Sequence, residues 1–212
     1  MIFHRRLVIF ALAGMLASCS VFTPKPDWSS FYVLNPQTAK AAPIPPPDPT
    51  LVLAVYSIDV PDYLDRPQMV TRLPGNQVAL DEYHRWAEPL GLAFARVLAQ
   101  DIHLYSDSSH VAAFPLPPGF GQEFEVSVQV LQFDGALGGD VTLHAQWRIS
   151  GPGGKPAYYS HESVFTRPAA TGTDSVAGYV DALSALTGDL ASEIVTALPE
   201  ARTAKAAVTD TH

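Results

Sequence analysis

The chain has 212 residues, with 13 Lys or Arg against 21 Asp or Glu and a formal net charge of −8. That acidic balance argues against nucleic acid and against polybasic attachment to anionic lipid. A single cysteine leaves no intrachain disulfide to form, so the folded part must stand on packing alone.

The start of the chain divides into three zones. His4, Arg5 and Arg6 form a basic start, and Leu7 to Leu16 an apolar run. This run is shorter than the roughly 20 residues a transmembrane helix needs, and it has the length of a signal h-region. Leu16-Ala17-Ser18-Cys19 then has the shape of a lipobox. The expectation is a signal peptide over residues 1–18, cut before Cys19. The new N-terminal cysteine would carry a diacylglycerol thioether and an N-acyl group such as palmitate. An ordinary signal peptide with an incidental cysteine, or an uncleaved anchor helix, is the plainer alternative. Ser20, where an Asp would favour inner-membrane retention, permits export to the outer membrane. Two of the basic residues, Arg5 and Arg6, and no acid precede Cys19, which leaves 11 basic against 21 acidic residues, a balance of −10.

Residues 19–29 read as a lipidated tether. The stretch from Ser20 to Trp28 reaches roughly 30 Å when fully extended. Phe31 to Leu34 reads as a short strand. Prolines at 36, 43, 45, 46, 47 and 49 make 35–49 an extended or disordered loop. Leu51 to Val60 is the next strand, and Gln68 to Leu73 with Gln77 to Leu80 suggests a hairpin around Pro74-Gly75-Asn76. Pro89 at a first turn, followed by Leu90, Phe94, Val97 and Leu98, predicts a helix to about His103. Phe124 to Phe133 is a strand whose apolar parity switches near Val130, which a bulge there or cover on both faces would explain. Val141 to Ser150 alternates cleanly, and Ala157 to Thr166 alternates less well. Thr173 or Asp174 should cap a last helix carrying Val176, Tyr179, Leu183, Leu186, Leu190 and Ile194, ending before Pro199. Residues 199–212 read as a disordered tail. Strands and helices in this order predict one α+β two-layer domain over 30–198, a largely antiparallel sheet with two main helices on one side.

No motif for catalysis stands out. The sequence has no His-Glu-x-x-His run, no Gly-x-Ser-x-Gly elbow and no glycine-rich phosphate loop. Its histidines share no ligand-like spacing, so neither a metal nor a cofactor is expected. His161-Glu162 and the Asp62/Asp65 pair could support acid–base work, but aspartates are common in turns for backbone reasons. Two stretches place large amphipathic residues beside charges: Tyr63, Leu64 and Arg66 in one, Arg85, Trp86 and Glu88 in the other. Trp, Tyr and Arg are favoured at interfaces, which makes these six a candidate partner surface. The competing reading puts Trp86 in the core, stapling the helix start.

Five features occur together in order: the lipobox; Phe31-Tyr32-Val33-Leu34; Val60 to Arg72 around Tyr63-Leu64-Asp65-Arg66-Pro67; Arg85 to Leu90; and Val128 to Gly135 leading into Ala145-Gln146-Trp147-Arg148-Ile149. Taken jointly they resemble the ABC-type transport auxiliary lipoprotein family. The resemblance implies a non-catalytic component on the periplasmic face of the outer membrane, serving intermembrane lipid transport. Its implied partners are a periplasmic MCE-domain protein and inner-membrane transporter components. A homo-oligomer matched to a tubular partner would be compatible with it. Only Cys19 carries over with a defined chemical role. A lipid-binding carrier or an envelope-assembly scaffold is the alternative function.

Overall fold

The computed structural model describes residues 28–39, 46–172 and 175–209. The expected signal peptide, Cys19, the tether before Trp28 and the Thr173 or Asp174 cap lie outside the described residues. The elements are β1 (Ser30–Tyr32), β2 (Val52–Asp59), β3 (Gln68–Arg72), β4 (Val78–Trp86), α1 (Leu90–Ser106), β5 (His110–Ala113), β6 (Phe124–Gly135), β7 (Asp140–Ser150), β8 (Ala157–Pro168) and α2 (Ser175–Thr209).

Strand β7 shows how the pattern makes the sheet. Val141, Leu143, Ala145, Trp147 and Ile149 are all buried, while Thr142, His144, Gln146 and Arg148 meet solvent partly or fully. In β6 the residues Phe124, Val126, Val128 and Val130 are buried, and the register with β7 then shifts between Val130 and Gln132. Leu131 is the extra residue, turned outward, and the shift returns Phe133 to the core. Fully burying one such side chain contributes about 1.5–3 kcal/mol.

The chain forms a single α+β domain with two sheets, one ordered β1-β4-β3 and the other β5-β2-β6-β7-β8. The antiparallel expectation holds for β3 with β4 and for β6, β7 and β8. Strand β2 instead runs parallel to both its neighbours, and β1 runs parallel to β4. The small sheet and α1 intervene between β2 and β6, so the chain returns by a crossover rather than a hairpin. Helix α1 lies over β2 and β5, α2 lies over β7 and β8, and the helices pack on each other. Strand β5 has no counterpart among the expected elements. Its four residues, His-Val-Ala-Ala, are too few to show a period.

Two boundaries differ for physical reasons. Strand β4 continues to Trp86, where the sequence suggested the approach to a helix. The Asp81 carboxylate accepts the backbone N–H groups of Tyr83 and His84 at 2.9 and 3.0 Å, and the chain bulges there before pairing again. Pro89 is then the residue before the helix, with extended ψ of 131°, rather than part of its first turn. The second difference is α2, which runs through Pro199 to Thr209 instead of ending before the proline. Its last turns are tied to the body. Arg202 reaches Asp48 at 2.7 Å, Lys205 reaches Glu123 at 2.9 Å, and both cations lie over the Phe124 ring.

The two ends of the proline-rich loop are also held. Asn35 N–H donates to Ser184 Oγ, Gln37 N–H to Asp101, and Asp48 N–H to the Ser106 carbonyl.

Candidate functional site

Asp134, near the end of β6, is fully buried. Its carboxylate accepts the Tyr63 hydroxyl at 2.7 Å, Arg72 Nε at 2.6 Å and the Gln132 amide at 2.9 Å. Tyr63 stands in the turn after β2 and Arg72 at the end of β3, so one carboxylate clamps the small sheet to the large one. Helix α2 joins the clamp through Tyr179. Its hydroxyl donates to the Val70 carbonyl at 2.8 Å and accepts the Gly135 N–H at 3.3 Å. Burial, and then the Asp134 carboxylate, push the Tyr63 hydroxyl up to about 12. Burial also raises Tyr179, and the hydrogen bond to Asp134 holds the Arg72 guanidinium firmly charged. Both phenols therefore stay protonated donors at physiological pH. The cluster is a structural joint that ties the two sheets and α2 together.

A second joint lies across β1 and β4. Tyr32 is paired with Trp86, Trp86 N–H donates to the Pro67 carbonyl, and Ala87 N–H to the Tyr32 carbonyl. Arg96 of α1 bridges Glu88 at 2.5 Å and the Leu34 carbonyl at 3.1 Å.

Of the six residues expected to form a partner surface, Leu64 and Trp86 go into the core, Tyr63 and Glu88 go into the joints, and Arg66 and Arg85 stay partly exposed. Leu64 and Trp86 are core residues, 2% and 7% exposed. Tyr63 is committed to Asp134, Glu88 to Arg96, and Arg85 to Glu82. Arg66 is half-buried. At Tyr63 and Glu88 the amphipathic composition that suggested an interface is the chemistry of an internal seam, where an apolar body is packed away and a polar tip is satisfied.

The surface that does expose apolar area lies beside the first joint. A groove of about 700 Å³ runs between the β3–β4 hairpin, the turn between β6 and β7, and the start of α2. Leu73, Leu80, Tyr83 and Leu137 line it and are 43–61% exposed. Met69 and Val176 make its floor, and Arg72 stands between groove and joint. Exposed apolar residues gathered in one concavity mark an interaction site more strongly than scattered ones do. Sequence reading missed it because Leu73, Leu80 and Leu137 sit at or beside turns and show no period. A polar trough of similar size lies on the open face of the large sheet, lined by Ser57, Gln129, Gln146, Arg148 and Glu162. Glu162 there is held below the usual carboxylate range by hydrogen bonds from Gln146 and then His144. His84, His144 and His161 each pair with one carboxylate, and no cluster of three metal-ligating side chains occurs among the described residues.

The joints bring together segments far apart in sequence: Tyr32 with Trp86, Tyr63 and Arg72 with Asp134. Residues 32–195 match the family model described as ABC-type transport auxiliary lipoprotein component. The chain belongs to this family. The auxiliary lipoprotein domain is also similar to solved structures. A DUF330 protein from Xanthomonas campestris is 13% identical with a TM-score of 0.67, covering 84% of this chain and 99% of that one. A structure described as an uncharacterized protein is 20% identical with a TM-score of 0.62, covering 79% of this chain and 96% of that one. At these identities the likeness speaks for the fold alone. No curated protein matches the chain significantly. No described helix is long and apolar enough to cross a membrane.

One buried acid of this auxiliary lipoprotein yields a pH prediction. Asp101 of α1 is fully buried and accepts the Gln37 N–H at 2.7 Å through Oδ1, while Oδ2 has no partner. Burial raises its carboxyl to about 6, against the smaller opposing effect of the Gln37 hydrogen bond. A carboxyl raised on folding binds its proton more tightly in the native state. Its contribution to stability is therefore greatest below about pH 4 and is lost as pH rises through about 6. Asn at this position keeps the acceptor and removes the charge. Asp101→Asn should stabilise the domain by about 2 kcal/mol near pH 8 and by little near pH 4. Urea midpoints at the two pH values check this, and an equal shift at both would refute it.

Proposed function

We propose that this chain is a non-catalytic docking component of an ABC transporter-linked intermembrane lipid transport system. Its partner is an MCE-domain periplasmic protein, and Cys19 holds it by lipid to the periplasmic face of the outer membrane. The observation that carries the reading is the family match over residues 32–195. The lipobox and Ser20 supply the address, and the short tether keeps the domain close to its leaflet. The apolar groove beside β3 and β4 supplies a surface for the partner, in place of Leu64 and Trp86, which the fold buries.

Two measurements test this. Cys19→Ala should give a folded chain that leaves the membrane fraction for the soluble periplasm, and persistence on membranes would refute the anchor. In-cell crosslinking of the wild type should capture an MCE-domain partner. A charge at the groove, Leu137→Asp or Leu80→Asp, should weaken co-purification about tenfold, on the scale of a hot-spot residue. Undiminished recovery by the folded variants would remove the groove from the partner surface.

A further inference from the structure

The small sheet exposes a second apolar feature, at the N-terminal end of β1. Trp28 is 76% exposed and Phe31, on β1, is 63% exposed. β1 runs parallel to β4 with Ser30 opposite His84 and Phe31 opposite Arg85, so Tyr83 lies one strand away, at the level just before Ser30. Tyr83 is 61% exposed. Trp28 and Phe31 therefore stand at the N-terminal end of β1, where the chain arrives from its tether, and Tyr83 stands on the neighbouring strand at the same end. By contrast Trp86 and Trp147 are buried, 7% and 2% exposed.

Chain length decides what can cover this patch. Nine residues separate Cys19 from Trp28, which limits the reach to roughly 30 Å when extended. With Cys19 acylated, the leaflet holding its chains is within reach of the patch at all times and at high effective concentration. Tryptophan and tyrosine favour the water–hydrocarbon boundary, where the ring is buried and the polar tip stays wet. Charge does not supply the attraction, because the mature balance is acidic.

We propose that Trp28, Phe31 and Tyr83 form a membrane-contact patch that seats the domain on the phospholipid leaflet carrying its own anchor. This rests on the lipidation reading of Cys19. Seating fixes more than distance. Tyr83 also lines the apolar groove, so contact at this residue sets the groove mouth beside the headgroups.

The test uses the mature chain from Cys19 with its one thiol. Coupled through Cys19 to maleimide-phosphatidylethanolamine in phosphatidylcholine vesicles, the chain is tethered whether or not the cell acylates it. Intact mass of the natively purified protein reports acylation separately, so the two readings fail independently. With brominated phosphatidylcholine in the vesicles, Trp28's share of the three-tryptophan emission should be quenched, and Trp28→Phe should abolish the quenched component. Quenching should persist at high salt. Phe31→Ser/Tyr83→Ser should lose most of it, with the buried Trp147 emission unchanged as evidence of folding. Trp28 emission untouched by brominated lipid would overturn the proposal. So would quenching undiminished in the double variant, which would reduce it to proximity of the tether alone.

Discussion

Asp134→Ala should destabilise the domain by about 2–4 kcal/mol, because it strands three donors at once. The lost carboxylate accepts the Tyr63 hydroxyl, Arg72 Nε and Gln132 Nε2. Removing one member of a buried ion pair typically costs about 3–5 kcal/mol. The Arg72 side chain is 40% exposed and can recover some hydration, which brings the expected value down. For a domain of this size that corresponds to a fall in Tm of roughly 4–16 °C. Arg72→Ala should be at least as harmful, since it leaves a fully buried carboxylate with only neutral donors. The double replacement Arg72→Met/Asp134→Leu should recover part of the loss, because an apolar pair removes both the charge and its desolvation. Thermal melts of the three variants check this. A double variant as damaged as the sum of the singles would show that the joint needs its polar geometry and not merely the absence of an orphan charge.

Gly135→Ala, one residue on, should be the most disruptive substitution of a single small side chain. A Cβ built there would stand 2.1 Å from the Asp140 carbonyl oxygen and 2.5 Å from the Val141 Cα. Both are backbone atoms of the facing strand, so no rotamer change relieves the clash. Gly135 is paired with Val141 in the ladder and its N–H is bound by Tyr179. Opening the strands would therefore disturb the turn and the joint together. Overpacking of a closed core costs about 1–3 kcal/mol, and a backbone-to-backbone obstruction should exceed that range, at about 3 kcal/mol or more. Gly91, inside the first turn of α1, is the control. Its nearest new neighbour would be Val60 Cγ2 at 3.8 Å, an ordinary contact. Gly91→Ala should be neutral or stabilising by up to about 1 kcal/mol from helix propensity. Urea unfolding of the pair separates the two mechanisms, and a Gly135→Ala midpoint equal to wild type would refute the steric argument.

Four of the stretches on which the family resemblance rested meet in the two joints. Val60 to Arg72 supplies Tyr63 and Arg72, and Val128 to Gly135 supplies Asp134. Phe31 to Leu34 and Arg85 to Leu90 meet as β1 and β4. Their mixture of rings and charges was legible, but its purpose was not. A Tyr–Arg–Asp triad reads the same on a surface as in a seam until the three residues are brought within hydrogen-bond distance. Burial then separates the cases, and here it places Leu64, Trp86 and Asp134 on the inside while Phe31 stays exposed.

The sequence by itself determined the α+β class, the alternation of β7, the parity switch in β6, the core stripe of α1 and the expectation of a lipid at Cys19. Each of these depends on near neighbours in the chain, through a period of two or 3.6 residues or through a short contiguous motif. Tertiary structure decided the split into two sheets, the parallel partners of β2, the course of α2 past Pro199, and the exposure of the groove and of Trp28 and Phe31. Those outcomes depend on contacts between residues tens of positions apart, such as Arg202 with Asp48 or Asp134 with Tyr63. Local pattern has no access to them, because the free energy that selects them exists only once both partners are in place.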